Sequence, residues 1–547
     1  MFALARSWGR RPMLRYHRNG AWHSISWNRF GRQVAAVARA LRAAGINPGD
    51  RVLLVAENRP EFLIAEVALQ AIRAVPVPGY TTNTIADHAH LLADSGAAAA
   101  IVSTAALAAR VVQAGKLDLL VCIEPFADAD LRVLDWAAMV EDAPDFADIS
   151  AEAAIIPPGA LAVLIYTSGT GGAPRGVMLS HRAILANLRS ANALVGPLHL
   201  KDETYLSFLP LSHAYEHTVG GFFLPITGTE IVYSRGIEHL AADMLAIRPT
   251  IIALVPRMLD VLRGRILAQI AREPAWKQAL FRRSQNIGRK RVEGRPLTLW
   301  EKALDVPLDR LVRRKILARF GGRFRIGLCG GAKLDPELGR FFQSLGLLLL
   351  QGYGQTEAGP LISAVVPPNL SIDTIGLPVD GVECRIADDG EILVRGDLLM
   401  DGYWGRPTET ARTLVDGWLH TGDVGHFDAN GLLNITDRKK DIIVLSGGEN
   451  ISPARIEGIL TAEPEIAQAV IAGDGKPGLS ALLVPAEGAD EAAVARAVAR
   501  INQRLAVTER IRRQKLVEPF TLENGMLTAT QKIRRPLVML HHRDWLG

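Results

Sequence analysis

The sequence predicts an α/β protein with a large N-terminal domain of stacked α/β subdomains, a small β-barrel-like subdomain, and a small mobile α+β C-terminal domain. Short apolar runs alternate with helical patterns through the first two thirds of the chain. Short strands separated by Asp-Gly and Asn-Gly turns follow, from about residue 375 to residue 437. The 547 residues exceed what one hydrophobic core supports, about 250 to 300 residues, so several domains are expected.

The N-terminal domain is predicted over residues 1–437 and begins with parallel β-α-β units. The run Val52–Val55, followed by the helical pattern Glu61–Ala74, is one such unit. The later runs Thr250–Pro256 and Phe324–Cys329 follow the same pattern, and a glycine pair comes directly after the second run. Ligands of parallel sheets bind where strands end, so these strand ends are candidate site positions.

The C-terminal domain is predicted over residues 438–547 as a compact α+β unit. A charged cluster, Asp437–Asp441, precedes it and has the polar composition of a linker or hinge. The predicted strands lie near Ile442–Leu445, Gln468–Ile471 and Leu479–Val484, and the predicted helices near Pro453–Leu460 and Asp490–Leu505.

The basic stretch Leu262–Arg323 is predicted to be helical. Its arginines and lysines indicate either a solvated helix face or contact with an anionic membrane surface, and both interpretations stay open.

Composition excludes several classes of protein. Apolar residues make up 48% and the net charge is only +5, which does not indicate a nucleic-acid binder. Three widely separated cysteines match no disulfide or metal framework. The sequence shows neither a leader peptide nor a long apolar run, so we predict a cytoplasmic location, with peripheral membrane association as an alternative.

The segment Leu161–Val177 is an apolar strand that runs into a loop of glycines and hydroxyl residues. Backbone N–H groups of such a loop can turn towards an anion, and hydroxyl and guanidinium groups add donors. The chemistry is that of a phosphate cradle, although an ordinary turn has the same composition. The residues that form this pattern are Thr167, Ser168, Gly169, Thr170, Gly171, Gly172, Arg175 and Gly176.

Five further segments follow this loop in a characteristic order. Together the six segments resemble the signatures of the adenylate-forming (AMP-binding) superfamily, whose members activate carboxylic acids as acyl-adenylates, and the resemblance covers nearly the whole chain. The five segments are Leu209–Glu216, Gln351–Glu357, Gly417–Asp423, Asp437–Gly448 and Asn524–Lys532.

The resemblance implies a nucleotide site. Tyr353 offers an aromatic face for adenine, and Asp423 can accept hydrogen bonds from the ribose hydroxyls. Arg438 can donate to ribose or phosphate. Backbone-rich positions that would let the base approach closely are Gly330, Gly331, Ala332, Gly352 and Gly354.

The resemblance also implies the groups that act on the substrate. Glu357, with Thr356 beside it, would hold a magnesium ion that bridges the phosphates, and Thr170 would share in that role. Lys532 would supply the positive charge when a carboxylate attacks the α-phosphate. His213 is the remaining catalytic candidate.

Catalysis in two steps requires the domains to rearrange. Lys440 lies at the position of the family's hinge, and Gly447 and Gly448 would let a pantetheine thiol pass along the backbone. Two positions depart from the family pattern, because Gly171 replaces the usual Thr and Arg175 replaces the usual Lys.

The Leu209–Glu216 segment and the basic helical stretch are most similar to long-chain fatty acyl-CoA synthetases. The resemblance implies an acid–thiol ligase that uses ATP, Mg²⁺ and coenzyme A. Two alternatives stay open: a fatty acyl-AMP ligase that loads a carrier protein, and a nucleotide- or acyl-binding paralogue that has lost its chemistry. The partners are a fatty acid and CoA, with an anionic membrane and a second copy of the chain as further options, and no nucleic acid.

Overall fold

The structure is a computed structural model that describes residues 1–141, 143–167, 173–367, 370–447, 449–528 and 532–546. The chain divides into two compact units. The first contains Met1–Thr167, Pro174–Glu383 and Val394–Leu419, and the second consists mainly of Cys384–Leu393 and His420–Gly547.

A nine-stranded sheet is the main element of the first unit. Its six central strands, from Leu348–Gly354 to Pro12–Arg18, pair in parallel, whereas the outer strands pair in antiparallel fashion. In spatial order the strands are Leu377–Pro378, Leu361–Ala364, Leu348–Gly354, Ile326–Cys329, Ile251–Leu254, Thr204–Ser207, Glu230–Tyr233, Pro12–Arg18 and Ala21–Ser26.

Two smaller sheets complete the strands of the first unit. One is five-stranded and entirely parallel, and the other is a three-stranded antiparallel sheet. The parallel sheet comprises Val75–Gly79, Arg51–Val55, Ala99–Val102, Leu119–Cys122 and Arg132–Asp135, and the antiparallel sheet comprises Gly402–Tyr403, Arg175–Ser180 and Leu161–Thr167.

Helices connect these strands, as the β-α-β pattern predicts. Local signals start several of them: Ser180 caps His181–Val195, and Thr298 forms a capping box with Glu301. The α-helices are Phe2–Trp8, Trp27–Ala43, Pro60–Ala71, Ile85–Ser95, Ala105–Ala114, Trp136–Val140, Ala147–Ala154, His181–Val195, Ala214–Glu216, Leu224–Ile226, Leu240–Ile247, Pro256–Ala271, Ala275–Val292, Leu299–Leu308, Arg314–Leu317, Pro336–Ser344 and Pro407–Thr413.

Short strands occupy the region for which a β-rich subdomain is predicted. Two of its turns have the expected geometry, because Asp416 and Gly417 both adopt positive φ and Gly431 adopts φ 75°. The strands are Glu383–Ile386, Glu391–Arg395, Leu414–Val415, Trp418–Phe427 and Leu433–Arg438.

The remainder of the second unit is an α+β arrangement, as predicted. Its three-stranded sheet encloses an apolar core with the helices that follow the strands, and Ile456, Ala481 and Ile501 are completely buried there. The strands are Ile443–Val444, Asn450–Ile451, Ile466–Ala472, Leu479–Pro485 and Ile511–Leu516, and the helices are Pro453–Thr461, Glu491–Arg504, Arg535–His541 and Arg543–Leu546.

Among the helices of the described residues, none has the length and apolar character needed to cross a membrane.

Two helices of the first unit cross closely at Gly288. A Cβ atom at this position, in Ala275–Val292, would lie 2.2 Å from the backbone oxygen of Ser344, in Pro336–Ser344. Because that atom belongs to the backbone, it cannot move aside as a flexible side chain would. The close approach therefore requires glycine, even though glycine lowers helix stability by about 1 kcal/mol relative to alanine.

We expect Gly288→Ala to reduce the free energy of unfolding by about 1–3 kcal/mol, because it forces the two helices apart. Gly264→Ala is the matched control, since this glycine lies in Pro256–Ala271 and a Cβ there would have no neighbour within 4 Å. The control should leave stability unchanged or raise it by about 1 kcal/mol. Thermal unfolding of both variants tests the contact, and equal midpoints would contradict it.

Candidate active site

One edge of the nine-stranded sheet brings three of the predicted segments together. Parallel strands end there at Ser207, Cys329 and Gly354. A Cβ at Gly330 would lie 3.3 Å from the ring of Tyr215 and 3.6 Å from the backbone oxygen of Gly352. The His213 segment, the glycine pair and the Gln351–Glu357 segment are therefore neighbours in space, although they are distant in sequence.

The backbone at this edge needs small residues. Gly331 has φ 79°, and both Gly331 and Ala332 are exposed. A Cβ at Gly354 would lie 1.8 Å from the backbone oxygen of Pro360, so no other residue fits there. Tyr353, between Gly352 and Gly354, is only 8% exposed. Exposed backbone at Gly331, Ala332 and Gly354 thus lies next in sequence to the buried residues Gly330 and Tyr353.

Glu357 lies beside Thr356 in the short helical turn that follows this strand, and both residues are half-buried. The hydroxyl of Tyr403 donates a hydrogen bond of 2.8 Å to Oε1 of Glu357. Burial raises the pKa of Tyr403, and the neighbouring Glu357 carboxylate raises it further, so the hydroxyl keeps its proton and acts as a donor. Tyr403 therefore holds the Glu357 carboxylate in a fixed orientation.

Arg175 belongs to the same cluster. Its guanidinium carbon lies 4.2 Å from the centroid of the Tyr403 ring, and Nη1 lies 3.5 Å from Oε2 of Glu409. Strand pairing places Arg175 opposite Thr167, at the base of the predicted phosphate loop. A planar guanidinium stacks on an aromatic ring, which an ammonium group does less well. Arg175, which replaces the family's Lys, therefore has the Tyr403 ring to stack on.

The predicted phosphate loop begins at Thr167. Thr167 ends its strand and is half-buried. The predicted site residues Ser168, Gly169, Thr170 and Gly448 lie outside the described residues, as do Gly171 and Gly172.

Asp423 and Arg438 form an ion pair in the second unit. They face each other on the antiparallel strands Trp418–Phe427 and Leu433–Arg438, and Nε of Arg438 lies 2.9 Å from Oδ1 of Asp423. Asp423 is only 3% exposed, whereas the Arg438 side chain is 43% exposed. The pair therefore presents a fixed carboxylate with a more exposed guanidinium beside it.

Lys532 lies in the same unit. Its N–H donates to Oγ1 of Thr528 at 3.0 Å, and its carbonyl oxygen accepts from the N–H of Thr528 at 2.8 Å. The residue as a whole is exposed, yet the protein around its ammonium group lowers the pKa to about 8. Repulsion by Arg438 contributes to this lowering of the pKa, after burial, and attraction by Asp423 opposes it. The three predicted residues therefore interact electrostatically.

The predicted hinge follows the strand that carries Arg438. Lys439 anchors it, because its Nζ lies 2.5 Å from Asp389 and 3.1 Å from Glu391. Lys440 is exposed in the turn that follows. Gly447 is exposed as well, in the turn after the strand Ile443–Val444.

His213 starts a short helix, Ala214–Glu216, and its Nδ1 accepts from the N–H of Tyr215 at 3.3 Å. The neutral ring then carries its proton on Nε2. The imidazole is half-buried.

The carboxyl group of Glu216, at the end of this segment, is completely buried and is held by hydrogen bonds. Tyr205 and Ser207 donate hydrogen bonds of 2.5 and 2.6 Å to its two oxygens. Burial raises the pKa of Glu216 to about 7, although the two hydroxyl donors oppose the shift. A Cβ at Gly220 would meet Oε1 of Glu216 at 2.4 Å, so this glycine serves close packing.

Sequence reasoning missed three residues that organise the site. Asn58 donates to Ser207 Oγ and to the Leu209 carbonyl at 2.9 and 2.6 Å, and its Oδ1 accepts from the N–H of Leu211. Tyr403 and Glu216 are the other two. Asn58 and Tyr403 contact the site through segments that are distant in sequence, so no local pattern marks them. Glu216 was recognised as part of the His213 segment, but its role as a buried hydrogen-bond acceptor was not predicted.

The donor set is suitable for magnesium. Glu357 offers an oriented, half-buried carboxylate, the ligand type that this hard cation prefers. Within the described ranges, no group of three or more His, Cys, Asp or Glu side chains is arranged to hold a metal ion.

Solved structures with the same architecture include a coenzyme A synthetase and an adenylation domain. The chain superimposes on O-succinylbenzoate coenzyme A synthetase from Bacillus subtilis in complex with AMP with a TM-score of 0.71, covering 98% of this chain and 96% of that chain at 22% identity. The adenylation domain of a carboxylate reductase from Mycobacterium chelonae gives a TM-score of 0.78 over 99% and 89% of the two chains, also at 22% identity. These likenesses confirm the predicted fold class.

Sequence comparison identifies the family. Residues 2–404 match the AMP-binding enzyme family and residues 440–542 match the AMP-binding enzyme C-terminal domain, so the chain belongs to the AMP-binding enzymes. A long-chain-fatty-acid–CoA ligase of Mycobacterium tuberculosis is 33% identical over 95% of this chain and 91% of its own length. Long-chain-fatty-acid–CoA ligase 5 of Rattus norvegicus is 28% identical over 96% and 84%.

The contact between Tyr403 and Glu357 generates a prediction. Tyr403→Phe removes the hydrogen bond but keeps the ring beneath Arg175, so the carboxylate loses its orientation. We expect the Mg²⁺ concentration that gives half-maximal ATP–pyrophosphate exchange to rise about tenfold, the effect of one hydrogen bond to a charged group. Tyr16→Phe is the control, because Tyr16 lies in the strand Pro12–Arg18, four strands away in the sheet from Ile326–Cys329. An unchanged Mg²⁺ dependence of Tyr403→Phe would refute this role.

Proposed function

We propose that the protein is an ATP-dependent fatty acid:CoA ligase that acts through an acyl-adenylate on long-chain fatty acids, releasing AMP and pyrophosphate. The observation that carries this proposal is the sheet edge where Gly330, Gly352 and Glu357 come together beside the His213 segment. The membership of the AMP-binding enzymes supports the adenylate chemistry. The names of relatives that match over more than nine tenths of this chain support the long-chain acid and the CoA acceptor.

The first half-reaction joins two anions. A fatty carboxylate attacks the α-phosphate of ATP, an acyl–phosphate bond forms, and the bond to pyrophosphate breaks. Negative charge builds up on the phosphate oxygens in the transition state, and a cation placed there lowers the barrier. We assign this role to Lys532, whose point charge would act on both groups. Asp423 and Arg438 would bind the ribose and orient the nucleotide.

Residues of the first unit would bind the phosphates. A magnesium ion bound with ATP would offset the negative charge of the phosphates. Glu357 would hold this ion, with Thr356 beside it and Thr170 as a further ligand. Arg175 would contribute positive charge to the loop, with its guanidinium fixed by Tyr403. Tyr353 and the segment Gly330–Ala332 would bind adenine.

The second half-reaction would need a different domain pose. In our proposal the domain boundary lies at residues 437–438, Lys440 is the pivot, and Lys532 leaves the phosphate when the domain turns. The thiol of CoA then attacks the acyl carbon, a thioester forms, and AMP leaves with the electron pair of the broken bond. Gly447 and Gly448 would line the path of the thiol, and His213 would contact the reacting carboxyl group from the acyl side.

The proposal also includes the cellular location and the oligomeric state of the protein. A cytoplasmic enzyme with peripheral membrane contact fits a lipid substrate, and a homodimer stays a prediction.

Product analysis tests the function. The purified protein is incubated with MgATP, CoA and acids from acetate to oleate, and products are identified by mass. We expect AMP release to peak with long-chain acids and the acyl-CoA to appear in equal amount. Acyl-AMP without the CoA ester would favour transfer to a carrier protein, and the absence of AMP with every acid would contradict the ligase.

The division of labour between the two steps gives a further prediction. Lys532→Ala should slow ATP–pyrophosphate exchange by about 100- to 1,000-fold, the cost of one transition-state contact. Thioester formation from supplied acyl-AMP should be retained. Equal loss of both half-reactions would contradict the assignment.

The lowered pKa of Lys532 predicts how this step depends on pH. With a pKa of about 8, the ammonium group loses its proton as the pH rises through that value. The exchange rate of the wild type should therefore fall above pH 8. Lys532→Arg keeps its charge throughout this range and should show no such fall, whatever its absolute rate. A parallel decline in both proteins would show that another group titrates.

A further inference from the structure

The helical segment 299–314 exposes apolar side chains to solvent. Leu299, Trp300, Val306 and Leu311 are 85, 67, 59 and 53% exposed. They lie on a continuous helical stretch, because the helix Leu299–Leu308 passes directly into the π-helical turn Asp309–Arg313. Large apolar side chains that cluster on one exposed helix face mark an interaction surface.

These side chains share one side of the helix. Trp300, Pro307 and Leu311 recur at helical spacing, and Leu299 and Val306 form a parallel row beside them. The opposite side packs into the protein core, with Leu308, Val312 and Ile316 buried. We call the exposed side the 299–314 face.

The basic and acidic side chains of this segment differ in their surroundings. Lys302 and Arg310 are exposed on the 299–314 face or at its edges. The acids of the segment are paired with cations. Glu301 receives Nζ of Lys290 at 2.6 Å, Asp305 is 2.7 Å from Nη1 of Arg313 and also pairs with Arg291, and Asp309 is 2.9 Å from Nε of Arg314.

We propose that the 299–314 face docks onto the surface of an anionic phospholipid membrane. An interfacial helix places Trp and Leu side chains at the boundary between headgroups and acyl chains, and places Lys and Arg against the headgroups. Leu299 and Trp300 provide such apolar side chains on the first turn, Lys302 lies on the same turn, and Arg310 lies further along the same stretch. Because each acidic side chain of the segment is paired with a cation, its repulsion by an anionic surface is reduced. Charge complementarity thus favours an anionic lipid surface as the occupant.

Vesicle binding tests the proposal with the full-length protein. Phosphatidylcholine vesicles containing phosphatidylglycerol should sediment the protein, and vesicles of phosphatidylcholine alone should bind it more weakly. Added salt should weaken binding to the anionic vesicles, because headgroup attraction is screened. Equal binding to both vesicle types, or none to either, would overturn the proposal.

Paired variants locate the surface. Leu299→Ser/Trp300→Ser should bind anionic vesicles at least about tenfold more weakly, because two inserted side chains are lost. Lys302→Gln/Arg310→Gln should weaken binding about fivefold per charge. The control Ile155→Ser/Ile237→Ser removes two apolar side chains that are 81 and 73% exposed on other elements, and should bind like the wild type. Wild-type binding by the Leu299→Ser/Trp300→Ser variant would overturn the proposal.

Fluorescence measures whether Trp300 enters the bilayer. The chain contains nine tryptophans, so the signal of Trp300 is the difference between the wild type and Trp300→Phe. Brominated acyl chains should quench this difference signal. A face that instead joins two copies of the chain would give a dimer that Leu299→Ser/Trp300→Ser dissociates without any vesicle binding, and this result would contradict membrane docking. ATP-dependent activity on a short soluble acid should not differ between these variants, which separates this surface from the proposed ligase function.

Discussion

Bringing two anions into contact is the constraint that the candidate site must meet. A fatty carboxylate and a triphosphate repel each other, so cations and oriented dipoles have to be in position before they meet. The protein fixes such groups in advance. The ring of Tyr403 supports the guanidinium of Arg175, and its hydroxyl orients Glu357. In the second unit, Asp423 holds Arg438, and both act on the pKa of Lys532.

Glycines determine the backbone at the edge of the sheet. In the proposed function, N–H and carbonyl groups at these strand ends would contact the nucleotide. Gly354 leaves no room for a Cβ against Pro360, and Gly331 adopts a left-handed conformation. The His213 segment is supported by the buried Glu216 carboxylate, which two hydroxyl groups hold in place.

The fold was predictable where local patterns decide it. The strand Arg51–Val55 with the helix Pro60–Ala71, and the glycine turns near Asp416 and Gly431, follow from periodicity and turn chemistry. The site segments could be predicted as sequence motifs, but the residues that hold their side chains in place could not. Tyr403 reaches Arg175 through pairing of the strand Gly402–Tyr403 with Arg175–Ser180, a long-range contact without a local signal. The basic stretch was visible as charge, yet its exposed apolar side appears only once burial is known.

The most direct test of the account is detection of the acyl-adenylate itself. The protein is mixed with MgATP and oleate in the absence of CoA, the reaction is quenched within one turnover, and the products are separated by mass. We expect one equivalent of oleoyl-AMP per active site, which is converted to oleoyl-CoA and AMP when CoA is added. Formation of oleoyl-CoA without prior oleoyl-AMP, or ATP cleavage to ADP, would contradict the account.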